Sequence, residues 1–273
     1  MSIHILPTSV VNKIAAGEVI ERPASVVKEL VENALDAGAR RIEIQLGNGG
    51  ADLIRVVDDG CGMDADDLAL ALVGHATSKL TSEDDLFDVR TMGFRGEALA
   101  SIGSVSDVRI VSRTADSDAG HEVEMQAGVQ GEVRACGAPP GAQVEVRNLF
   151  HNVPVRKKFL KSAATEMAHI SEAVTRLALA HPQVHFVLTH NERKVFNLPP
   201  ADGLAQRIGE FFGREIADNM VPFGSQSPEV DVEVHLRERP LRAQPRADAR
   251  HRRGLRRADD GGAPAGLLRV PHA

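Results

Sequence analysis

The chain has 273 residues, of which 42% are hydrophobic and 26% charged, with a formal net charge of −6. This is the composition of a globular protein with room for one large or two modest domains. Trp and Tyr are absent and Phe occurs nine times, which argues against nucleic-acid binding on stacked aromatics. The negative balance argues against a protein that coats DNA, although it leaves room for a local basic groove. Cys61 and Cys136 are too few for a disulfide framework or a zinc site and fit a reducing compartment. The start, Met1-Ser2-Ile3-His4, lacks a secretory pattern, and no apolar run approaches the ~20 residues of a membrane span. A cytoplasmic protein that does not enter membranes is expected.

Pro23 to Ala37 is predicted to be a helix. Pro23 suits a first helical position, and Val27, Leu30, Val31 and Ala34 form an i, i+3, i+4, i+7 stripe, with Gly38 as the stop. Arg41 to Leu46 alternates as a half-buried strand, and the turn Gly47-Asn48-Gly49-Gly50 joins it to a second strand, Leu53 to Val57, as a hairpin. Helices are expected over 64–73 and 97–102, and strands near 105–112, 122–125 and 144–146. Helices on one side of a mixed or antiparallel sheet predict an α+β sandwich, unlike the βαβ alternation of a doubly wound fold. A second unit is expected from about Asn152, with a helix over 165–180, strands at 184–189 and 194–198 around the turn Asn191-Glu192, and a helix over 203–212. From about His235 the chain turns rich in Arg, Ala, Pro and Gly without periodicity, after a strand with no evident partner. Residues 235–273 are read as a disordered tail or a shifted reading frame. The expected divisions are therefore 1–150, 151–234 and 235–273.

Three runs carry chemistry. Glu29 and Asn33 stand at i and i+4 on one helix surface, which Glu32 and Asp36 are expected to share. Taken alone, that pattern fits a solvated acidic face. It also fits a site in which an amide oxygen ligates Mg²⁺, an ion that needs only one or two protein oxygens, while a carboxylate orients an attacking water. Asp58 closes the apolar run Leu53 to Val57, as a strand-end turn residue or as an acceptor for an exocyclic amine such as that of adenine. Gly60 and Gly62 let backbone approach a flat ligand there. Gly93-Phe94-Arg95-Gly96 before a helix offers amide groups and a positive helix end to phosphates, and His75-Ala76-Thr77-Ser78-Lys79 adds hydroxyls and an ammonium. No Gly-x-x-x-x-Gly-Lys-Ser/Thr run exists, so the P-loop route to ATP is absent. His181 and His185 have metal-pair spacing, but Pro182 interrupts the helix between them. Arg156, Lys157, Lys158 and Lys161 form a basic cluster that is either a DNA groove or solvated surface.

Together these runs resemble the GHKL ATPase superfamily. Ile14 to Leu30, His75 to Lys79, Gly93 to Leu99 and Leu149 to Leu160 resemble, within it, the MutL-type mismatch repair proteins over about residues 1–234. The resemblance implies a Bergerat sandwich followed by an incomplete domain like part of ribosomal protein S5. It implies that Glu29 is the general base for ATP hydrolysis, Asn33 the Mg²⁺ ligand and Asp58 the adenine contact. Gly62 and Met63 join the ATP site, and Thr77, Ser78, Lys79, Gly93, Phe94, Arg95 and Gly96 form a phosphate-covering lid. It further implies an ATP-dependent dimer that clamps DNA and a MutS-type partner. Two departures stand out. Gly141-Ala142-Gln143 replaces the family's Gly-Thr, removing one hydroxyl near the nucleotide, and no residue matches the family's second-domain Lys at the γ-phosphate. Weak turnover, or an ATP-binding fragment without catalysis, is the alternative expectation.

Overall fold

The structure is a computed structural model that describes residues 16, 17, 19–74, 76, 77, 96–126, 128–226 and 231–237. Helix α1 spans Pro23–Asp36, entered from an extended Arg22 with proline in its first turn. Its Val26, Val27, Leu30, Val31 and Ala34 are buried, a contribution of about 2 kcal/mol gross for each larger side chain. The helix stops where expected. Gly38 takes φ +74°, so that Gly38 N donates to Leu35 O at 2.9 Å and Ala39 N to Ala34 O at 3.1 Å.

Strands β1 (Arg41–Gly47) and β2 (Leu53–Asp58) pair antiparallel. Ile42, Ile44, Leu46, Ile54 and Val56 enter the core. The link between them is more than a turn. Asn48–Gly50 forms a 3₁₀ turn, and a Cβ on Gly49 (φ +64°) would stand 2.6 Å from the carbonyl oxygen of Ala163. The turn is therefore the seat of the later helix that starts at Ala163.

Helix α2 covers Ala65–Leu70, shorter than expected, with the Asp64 carboxylate accepting from Asp67 N at 2.9 Å. Helix α3 covers Ala98–Val105. Strands β3 (Asp107–Arg113), β4 (Gly120–Gln126), β5 (Val129–Gln130), β6 (Arg134–Cys136) and β7 (Gly141–Arg147) follow. Then come α4 (Pro154–Phe159), α5 (Ala163–Ala180), β8 (His185–His190), β9 (Arg193–Leu198), α6 (Leu204–Phe212) and α7 (Arg214–Asp218). The nine strands form one sheet in the order β5-β4-β3-β7-β2-β1-β8-β9, with β6 also on β4. All pairs are antiparallel except β1 with β8. This is the mixed α+β architecture expected from the sequence.

The sheet runs past the division expected near residue 150, because β8 and β9 extend it from β1, in the register Ile42↔Phe186 and Ile44↔Leu188. Helix α6 is bound to the same unit by Arg207, which is 0% exposed. Its guanidinium donates to the carbonyls of Pro182 (2.6 Å) and Val184 (2.7 Å) and to Glu210 (2.8 Å). Contacts divide the chain instead between Asp218 and Asn219. In the second unit β10 (Met220–Gln226) and β11 (Asp231–Arg237) pair antiparallel, so the strand thought to lack a partner has one. The tail after 237 lies outside the described residues. Among the described residues, no helix is long and apolar enough to cross a membrane.

The outward face of the sheet carries a charge ladder. Arg55, Glu145 and Arg109 are direct cross-strand neighbours on β2, β7 and β3. Glu145 accepts from Arg55 Nε at 2.9 Å and Arg147 Nε at 2.6 Å, and Arg109 pairs with Glu122. Burial acts to raise the Glu145 pKa, but the hydrogen bonds and charges of Arg147 and Arg55 outweigh it and hold the carboxyl below its usual value. A depressed carboxyl pKa supplies stability that is present above the ordinary carboxylate range and lost as pH falls through the folded-state pKa. Glu145→Gln is expected to lower stability by about 2 kcal/mol at neutral pH. The deficit should shrink on acidification, as followed by urea unfolding across a pH series.

Candidate functional site

Strand β2 alternates so that Ile54, Val56 and Asp58 share its inward face. An acid therefore ends an apolar row, in the layer where α1 packs against β2. The Asp58 carboxylate accepts from Gly60 N at 2.9 Å, and the amide of Ala142, directly opposite on β7, also acts to lower its pKa. Burial raises its pKa, against these two amides, and Asp59 adds to the rise. No cation offsets it in that balance.

The loop after Asp58 is gripped from both sides. On one side Cys61 N donates to Ala37 O at 3.0 Å, and a Cβ on Gly60 would stand 2.8 Å from Ala37 Cβ. The loop therefore rests on the end of α1. Asp59 Oδ1 accepts from Arg40 N and Arg41 N at 2.7 and 2.8 Å, holding the α1–β1 corner. On the other side Met63 N donates to Ser112 Oγ at 2.8 Å, and that hydroxyl donates to Gly141 O at 2.9 Å. A Cβ on Gly62 (φ +71°) would stand 2.1 Å from Arg113 O, and one on Gly141 (φ +111°) 2.1 Å from Asp58 O. Both glycines are required by conformation and by contact.

Glu29 and Asn33 lie half-buried on α1, beside its buried stripe. At 1.5 Å rise per residue they are about two turns and one turn before the Ala37 seat. The acidic surface they occupy is narrower than the sequence implied. Glu32 is 5% exposed and paired with Lys28 at 2.9 Å, because the helix turns it toward packed neighbours.

The two runs expected to cover phosphates are described only at their edges. A Cβ on Gly96 (φ +61°) would stand 2.5 Å from Ala76 O and 3.1 Å from Thr77 Cβ. The ends of the two runs, 19 positions apart in sequence at Thr77 and Gly96, thus meet where α3 begins. His75, Ser78, Lys79, Gly93, Phe94 and Arg95 lie outside the described residues. The basic cluster on and just after α4 is split. Lys157, Lys158 and Lys161 are exposed, whereas the Arg156 guanidinium packs on Gly17, where a Cβ would stand 1.4 Å from one of its nitrogens. Among the described residues no group of three or more His, Cys, Asp or Glu gathers as a metal site.

Sequence reasoning missed Ser112. Its only sequence signal is a polar residue continuing the inward row Val108, Ile110, and its partners become visible only through the sheet register. The glycines supply a direct check. Gly62→Ala combines left-handed strain with a backbone clash and is expected to destabilise by about 3 kcal/mol or more. Gly38→Ala, with φ +74° and nothing within 4 Å, should cost only about 1 kcal/mol. Thermal unfolding of the two variants side by side measures the difference.

Residues 20–149 match the model of the histidine kinase-, DNA gyrase B- and HSP90-like ATPase family. The chain is 52% identical over 227 residues to the DNA mismatch repair protein MutL of Syntrophotalea carbinolica, covering 83% of this chain and 36% of that protein. It is 52% identical over 230 residues to MutL of Anaeromyxobacter sp. (strain K), covering 84% and 38%. The chain thus spans little more than a third of the length of the curated relatives it matches. Among solved structures, the Aquifex aeolicus MutL ATPase domain complexed with ADP aligns with a TM-score of 0.59 at 36% identity, over 76% of this chain and 73% of that one. With its nine-stranded sheet, the aspartate-bearing loop seated on α1 and these similarities, the chain has the GHKL ATPase fold and belongs to the MutL family.

Proposed function

We propose that this chain binds ATP with Mg²⁺ and hydrolyses it, as the ATPase region of a MutL-type clamp acting in DNA mismatch repair. The observation that carries this reading is Asp58. It is a half-buried, amide-held carboxylate whose loop is bound directly to the end of the helix bearing Glu29 and Asn33.

Asp58 accepts the exocyclic amine of adenine and rejects the oxygen that guanine presents there. Gly62 and Met63 bring backbone against the base, at a position where no Cβ fits on residue 62. Asn33 offers a neutral, hard amide oxygen on a half-exposed helix position, which suits Mg²⁺; when bound, the ion neutralises charge on the phosphates. Glu29, one turn before Asn33, orients water toward the γ-phosphate and accepts its proton. Thr77, Ser78 and Lys79, with Gly93, Phe94, Arg95 and Gly96, cover the phosphates. The meeting of Gly96 with Ala76 and Thr77 supports a single cover made of both runs. Ordering of that cover by ATP would couple binding to assembly of a dimer around DNA, downstream of a MutS-type partner. The exposed lysines of α4 suit the DNA side of such an assembly.

Two experiments test the reading. Glu29→Ala is expected to retain ATP binding while phosphate release falls by about 10²-fold or more; equal rates would mean that the chain binds ATP without turning it over. The second is a pH series. Asp58 must be ionised to accept the amine, and burial raises its pKa. ATP affinity should therefore fall as pH drops through that raised value. Asp58→Asn should bind ATP weakly at every pH, by calorimetric titration.

A further inference from the structure

We infer that Ser112 is a positioning residue for the nucleotide site, aligning the Asp58 carboxylate through the peptide group that joins Gly141 to Ala142. This inference rests on the ATP-binding reading above and adds to it a residue on a different strand.

Three adjacent strands carry one row of inward-facing residues: Asp58 on β2, Ala142 on β7 and Ser112 on β3, each opposite the next. The 141–142 peptide lies between the outer two. A trans peptide is planar, and its C=O and N–H point in opposite directions. Here the C=O accepts from Ser112 Oγ at 2.9 Å, and the N–H belongs to the residue directly opposite Asp58, whose carboxyl pKa it acts to lower. Turning the plane to satisfy one end turns the other. The hydroxyl also accepts from Met63 N at 2.8 Å, so its donor and one acceptor site are both used. A continuous chain results, from Met63 N–H through Ser112 Oγ–H and the 141–142 peptide to Asp58. It closes a ring across the mouth of the loop over residues 58–63. Each bond polarises the next, which strengthens the amide grip on the carboxylate.

The residue is hard to explain by packing. Ser112 is 0% exposed and continues the inward row of Val108 and Ile110, where an aliphatic side chain would bury more apolar surface. The small Ala142 side chain between them leaves the two polar groups to communicate through backbone alone. Ionisable residues near the loop include Asp59 and Cys61 within it, Asp64 after it, Arg40 and Arg41 whose amides bond Asp59, Arg113 beside Ser112, and His121 opposite Ser112 on β4. Of these, Asp59 acts on Asp58, in the same direction as burial.

The test uses Ser112→Ala, Ser112→Cys and Ser112→Thr in the intact chain, assayed well below their unfolding temperatures. Loss of the hydroxyl should weaken ATP binding by about tenfold and lower the preference for ATP over GTP. The single-turnover rate at saturating ATP should hold within about twofold, since base recognition is remote from the γ-phosphate. Thr, which keeps the hydroxyl, should restore affinity and selectivity; Cys should not. Independently of any nucleotide, carbon NMR of the Asp58 carboxyl should show its titration moved to higher pH in Ser112→Ala, because the Ala142 amide holds the charge less well. Lowered thermal stability with unchanged ATP affinity, unchanged ATP/GTP preference and unchanged Asp58 titration would overturn the inference. If the parent chain binds no ATP, the nucleotide reading fails, and the Asp58 titration alone decides the role of Ser112.

Discussion

A carboxylate drawn half out of water must find donors, and Asp58 finds two backbone amides, one from its own loop and one from the neighbouring strand. That requirement shapes everything around it. The Gly60 amide can reach back only if the chain turns sharply after β2, which brings Cys61 onto the last carbonyl of α1. The Ala142 amide is available only if Gly141 stands against the Asp58 carbonyl at a distance no side chain tolerates. Helix α1, carrying Glu29 and Asn33, is thus tied to the loop by the same constraint that holds the acid. Charge, turn and helix placement are one solution.

The remainder of the sheet keeps that arrangement rigid while dividing its two faces by function. On β2 and β3 the inward rows are aliphatic until they reach the end of the sheet where Asp58, Ala142 and Ser112 sit. Outward rows are charged and satisfy one another through Arg55, Glu145, Arg147 and Arg109. The burial cost at Asp58 is a destabilising feature that the fold tolerates. The buried Arg207 is the opposite case, a charge whose hydrogen bonds fasten a helix to the unit.

Much of the fold was legible before any coordinates. The 3.6-residue stripe of α1, its proline start and glycine stop, and the alternation of β1 and β2 are local signals, set by propensity and by one buried face. Asp58 was legible because a charge after an apolar strand is conspicuous, and the glycines beside it announced close backbone approach. The membership of β8 and β9 was not legible, since the pairing of Arg41 with His185 joins positions 144 apart. That pairing puts β8 and β9 in the same sheet as β2, across the division expected near residue 150. Glu32 read as exposed because helical position alone does not show which neighbours pack against it. Arg156 read as part of a basic surface because the approach of Gly17 leaves no mark in the sequence near residue 156.

The amino-acid sequence by itself determined which residue types stand at fixed spacing on one element: an acid and an amide a turn apart, an aspartate closing a strand, glycines where the chain must bend. These are short-range facts, decided by backbone sterics and periodicity. Only the tertiary structure decided that residues 37, 58, 112 and 142 meet, because strand register is a property of the whole sheet. A serine is one polar residue among many until a peptide from another strand is placed between its hydroxyl and a carboxylate.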